Sequence, residues 1–105
     1  MESNVFMSTH IGSSELVFWK DIASAWIRCG FIPNLVLICD DISTSCDEVD
    51  DCVGNVIRVK KSEIVDISVQ GKIAKFFVAS SSEYTVNETY GNSRYNIFSD
   101  LRTVP

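Results

Sequence analysis

The stretch NVIRVKKSEIVDISVQGKIAKFFVA, Asn55 to Ala79, decides how this chain is read. Three apolar runs, NVIRVK, IVDISV and KIAKFFVA, are separated by Lys61-Ser62-Glu63 and by Gln70-Gly71. Val, Ile and Phe favour pleated strands, and short polar breaks carrying a glycine favour tight turns. The pattern predicts an antiparallel meander over about 55–79. A three-residue loop sets Val59 opposite Val65 and Ile57 opposite Ile67. A two-residue turn then sets Val65 opposite Phe76 and Ile67 opposite Ala74, with Phe76 facing inward. The same register aligns Arg58, Asp66 and Lys75 as a plus–minus–plus ladder on the other face.

Upstream, Gly12-Ser13-Ser14-Glu15 precedes LVFWKDIASAWIRCG. A hydroxyl residue, an early carboxylate, a periodic apolar run and a closing glycine form a helix signature. The helix is placed at about 14–29, with Gly30 as a left-handed stop and Pro33 preventing continuation. Leu16, Trp19, Ala23, Trp26 and Ile27 make one stripe, which Phe18, Ile22, Ala25 and Cys29 widen, so the helix is expected to be largely covered. Leu35 to Cys39 is a short unbroken apolar run and reads as a buried strand. NVFMSTHI (4–11) and YNIF (95–98) are weaker strand candidates. The resulting expectation is an α+β fold: one long buried helix on a mainly antiparallel sheet of four to five strands.

A chain of 105 residues, 46% of them hydrophobic and 10% aromatic, suits one packed domain over 1–105 and departs from disordered compositions. MESNVFMSTHIGSSE lacks the basic and apolar regions of a leader, and no apolar run reaches membrane-spanning length. A cytoplasmic setting is expected. There Cys29, Cys39, Cys46 and Cys52 are thiols, and the Asn87-Glu88-Thr89 sequon is idle.

The net charge of −5 is unevenly spread. Between Arg28 and Arg58 there is no Lys or Arg, while Asp40, Asp41, Asp47, Glu48, Asp50 and Asp51 all fall there. The rest of the chain sums to about +1. No metal template fits this segment. Its cysteines lack the close pairs of zinc sites, and its carboxylates lack the alternation, glycine and terminal glutamate of an EF-hand. No cofactor is expected. An apolar strand ending in Asp40-Asp41 is similar to the strands of receiver domains and several phosphohydrolases, whose carboxylates sit at a sheet's carboxyl edge. A meander lacks the repeated strand–helix units those folds need, so divalent-metal chemistry at Asp40 and Asp41 ranks behind other readings.

His10 is the only histidine, with Ser8, Ser13 and Ser14 close in sequence, but no nucleophile elbow is present. Arg58, Lys60, Lys61, Lys72 and Lys75, with Phe76 and Phe77, form the candidate nucleic-acid patch. Against it stand Asp66 in its middle and an acidic chain, so direct nucleic-acid binding is not favoured. The expected function is non-enzymatic: stoichiometric binding of a protein with a basic surface, such as a nucleic-acid-handling complex, through a local negative field. Size, acidity and the missing catalytic motif are similar to those of small inhibitors, among them toxin-neutralising immunity proteins and anti-CRISPR-like anti-defence proteins. Tyr84, Tyr90 and Tyr95 are the next contact candidates, because tyrosine supplies rigid amphipathic area.

Overall fold

The computed structural model describes residues 3–80 and 96–101. Strands and helices alternate along the chain: β1 (Ser3–His10), α1 (Trp19–Arg28), β2 (Phe31–Cys39), α2 (Asp47–Asp50), β3 (Asn55–Lys60), α3 (Ile67–Ser80) and β4 (Asn96–Phe98). The four strands form one sheet in the order β3-β2-β1-β4, and every pair is parallel. The expected combination of helices and a sheet is present; the antiparallel sheet is not. Parallel neighbours need a crossover rather than a hairpin, and the helices fill that role.

The meander is the main correction. NVIRVK is indeed a strand, but it pairs with β2, setting Ile57 against Val36 and Val59 against Ile38. The two runs expected to pair with it are a loop followed by α3. Ile67, Gly71, Ala74 and Val78 recur at helical spacing. The last three are buried, and Ile67 packs against their cluster. Gly71 is no turn residue. A Cβ there would meet the Thr9 carbonyl carbon and the His10 ring at 3.4 Å, an ordinary contact distance, so α3 lies directly on β1 at this point. Phe76, expected to face inward, is half exposed and stacks its ring on Phe98 at 4.7 Å.

The expected charge ladder dissolves with the register. Arg58 pairs with Asp50, Asp66 caps the start of α3, and Lys75 reaches Asp100.

The first helix falls where the sequence put it, but it is not one long rod. A 3-10 turn (Ser14–Phe18) leads into α1; Ser13 caps it by accepting the Glu15 N–H, and Gly30 closes it at φ +88°. Leu16, Trp19, Ile22, Ala23 and Trp26 are buried, whereas Phe18, Ile27 and Cys29 are exposed. Pro33, expected only to block the helix, lies inside β2, one residue before pairing with β3 begins.

Both faces of the sheet are covered. Val5, Met7, Leu35, Leu37 and Cys39 pack beneath α1 and α2, while Phe6, Val36 and Ile38 pack beneath α3. That double burial explains why Leu35–Cys39 reads as an unbroken apolar run. At the amino end of the strands, on the α3 face, a row of asparagines crosses the sheet. Asn55 donates to Asn34 Oδ1 at 2.9 Å, and Asn34 donates to Asn4 Oδ1 at 3.2 Å. Asn4 and Asn34 are fully buried.

Candidate functional site

The chain builds the sheet outward from β1 through β2 to β3, then returns to place β4 on the other side of β1. Such a reversal leaves a crevice at the carboxyl ends of the two strands, because their connections depart in opposite directions. A cleft of about 480 Å³ lies there. It is lined by Ser8, Thr9 and His10 of β1, Ser13 and Glu15 before α1, Ser68, Gly71 and Lys72 of α3, and Asp100 after β4.

Each side chain is held by its own element. His10 points its Nδ1 at the Ile11 carbonyl, 2.9 Å away. A carbonyl only accepts, so Nδ1 carries the proton and Nε2 is left for other partners. Ser13 Oγ accepts the Glu15 N–H, leaving its own hydroxyl proton to donate. Asp66 accepts the Ser68 backbone N–H at 2.9 Å and the Ser68 hydroxyl; the hydroxyl bond, then the backbone bond, holds its carboxyl below the usual range. Lys75, almost wholly buried, donates to Ser99 O at 3.0 Å and to Asp100 Oδ1 at 3.1 Å, fixing the segment after β4 against α3. Ser8 Oγ is buried and has no hydrogen-bond partner among the described residues.

His10 therefore does meet Ser8 and Ser13 around one cleft, although Ser14 is exposed outside its lining. Among the described residues no hydrogen bond joins His10 to a serine. Sequence reasoning named His10 and its serines but missed Glu15, Ser68, Lys72 and Asp100 as their neighbours. Only the crossover through α3 and the placement of β4 bring these together.

The acidic segment follows β2 at the same edge of the sheet. All six carboxylates are exposed, but they are not all uncommitted. Asp50 pairs with Arg58 and also accepts the Cys46 N–H at 2.7 Å; the Arg58 bond, then the Cys46 bond, lowers its carboxyl pKa. Arg58 lies outside the cation-free stretch in sequence and reaches it through the pairing of β3 with β2. Asp41 accepts the Ser43 N–H at 2.9 Å and hydroxyl at 2.8 Å, which lowers it too. Asp40 instead borders a second cleft, of about 730 Å³, with Lys60, Lys61 and the 62–67 loop.

Among the described residues no group of three or more His, Cys, Asp or Glu side chains could hold a metal ion. Cys39 is buried, and burial pushes its thiol up; Cys46 and Cys52 flank α2. The candidate nucleic-acid patch is not contiguous, since Arg58 points to the α2 side while Lys75 sits on α3 across the sheet. Tyr84, Tyr90 and Tyr95 lie outside the described residues. Among the described residues no helix is long and apolar enough to cross a membrane.

Comparison with models of known protein families, with curated proteins and with solved structures finds no match.

Proposed function

We propose that this chain is a ligand-binding domain whose small polar ligand sits at the carboxyl ends of β1 and β4. The observation that carries the reading is the coincidence of the 480 Å³ cleft with the point where strand order reverses. Open parallel sheets place ligands there, and polar groups converging from several elements are what a binding site requires. The reason to rank carboxyl-edge chemistry low was the meander, which the parallel sheet replaces. Whether the ligand is also transformed depends on His10, whose imidazole can exchange a proton with a bound group. The test is a small-molecule library followed by backbone amide NMR. Hits should perturb Ser8–Ser13, Ser68–Lys72 and Asp100 together, and hits that map elsewhere refute the assignment.

A second reading keeps the acidic surface as a docking face for a basic protein in the cytoplasm, of the inhibitor kind. It is favoured by four exposed carboxylates, Asp40, Asp47, Glu48 and Asp51, that form no ion pair among the described residues. Asp41 and Asp50 are weaker contributors, because each is engaged locally. Charge reversal at Asp47, Glu48 and Asp51 should slow association with a basic partner and flatten its salt dependence. Unchanged association would remove the reading.

A further inference from the structure

We infer that the ligand of the β1–β4 cleft is a neutral molecule presenting adjacent hydroxyl groups, from a sugar or from the ribose of a nucleoside. This rests on the cleft being a binding site, and it follows from what the lining offers and refuses. Apart from Gly71, every lining residue carries a polar side chain. An apolar ligand would strip water from those groups and return no hydrogen bonds.

A multiply charged anion fits no better. Lys72 is the one lysine among the described lining residues, and Glu15 and Asp100 line the same cleft. The first turn of α3, which would otherwise suit a phosphate, already binds the carboxylate of Asp66 through the Ser68 amide. A bare cation lacks a ligand set among the described residues.

Hydroxyl groups answer both halves of the lining. Carboxylate oxygens accept several bonds each, so Glu15 and Asp100 retain acceptor capacity beside their protein contacts. Lys72 and the Ser13 hydroxyl donate, and His10 Nε2, with the ring proton on Nδ1, accepts.

The experiment titrates the labelled protein with methyl glucoside, adenosine, 2′-deoxyadenosine, inorganic phosphate and indole, mapping amide shifts. A sugar source predicts cleft shifts with methyl glucoside. A ribose source predicts them with adenosine and a large loss with the 2′-deoxy compound. Phosphate or indole alone shifting the cleft amides leaves the site standing and overturns the hydroxyl assignment. Diol probes that bind away from the cleft, or nowhere, overturn both. In Lys72→Met, affinity for the responding probe should fall roughly tenfold, the effect of one lost hydrogen bond. Its urea midpoint should hold, because Lys72 is exposed on α3. Unchanged affinity in Lys72→Met overturns the assigned contact.

Discussion

Replacing Asn34 by alanine should be among the most damaging single polar substitutions in this chain. The Asn34 side chain is fully buried in central strand β2. Its Nδ2 donates to Asn4 Oδ1 at 3.2 Å, Val5 O at 3.2 Å and Ile32 O at 3.0 Å, while its Oδ1 accepts from Asn55 Nδ2 at 2.9 Å. Two amide protons share three acceptors, so about three net bonds are lost, at ~1 kcal/mol each. The buried Asn4 oxygen also loses a donor, which raises the expected cost to about 3–5 kcal/mol. Against a typical domain stability of about 5–15 kcal/mol, that is a large share. Urea unfolding, followed by fluorescence of the buried Trp19 and Trp26, would read it directly. Asn34→Asp should be worse at neutral pH, because its carboxylate would face three acceptors. Burial among acceptors raises the folded-state pKa of that aspartate, so the damage grows as pH rises and recedes on acidification. A loss below about 1 kcal/mol in Asn34→Ala would refute the view that the asparagine row is a cooperative buried network.

Gly54→Ala should destabilise by about 2–4 kcal/mol, since φ is +94° and a Cβ would lie 3.1 Å from the Pro33 carbonyl oxygen and from Trp19 Cζ2. Gly12→Ala, at φ +85° with no atom within 4 Å, should show only the backbone part, and equal losses in thermal melts would contradict the packing argument. Asp41, Asp50 and Asp66 all have lowered pKa values, Asp50 chiefly through Arg58. Their stabilisation is present above the unfolded carboxylate value of about 3.9 and is lost as pH falls through the lower folded values. Asp50→Asn should therefore make the urea midpoint fall less steeply below about pH 4; an identical acid profile would discount the Arg58 contact. Lys75→Met removes both bonds that hold Ser99 and Asp100 to α3, so amide exchange should quicken at 99–101 while β2 amides stay protected.

Much of the local structure was legible in the sequence because its causes are local. Ser13 caps the first helical turn through the neighbouring Glu15 amide, Gly30 ends the helix in the left-handed region, and alternating or unbroken apolar runs mark β1, β2 and β3. His10 was visible as the lone candidate base, and Asp40–Asp51 as an acidic segment, from residue type alone. Whether Asn55 to Ala79 forms three strands or a strand and a helix was not a local question. IVDISVQGKIAKFFVA is rich in strand-favouring side chains, and its glycine suits a turn as well as a close helix contact. Tertiary structure decided it: the α3 face of the sheet, lined by Phe6, Val36 and Ile38, is covered by Ala74, Val78 and Ala79. A helix fits there with Gly71 opposite Thr9 and His10 at contact distance. The same packing determined what no sequence window contains. Arg58 of β3 neutralises Asp50 of α2, three distant asparagines share one bonded row, and His10, Glu15, Lys72 and Asp100 meet at the reversal of strand order. Sequence fixes propensities within a few residues, whereas charge partners and clefts depend on which strands become neighbours, and that is settled by burying both faces of the sheet at once.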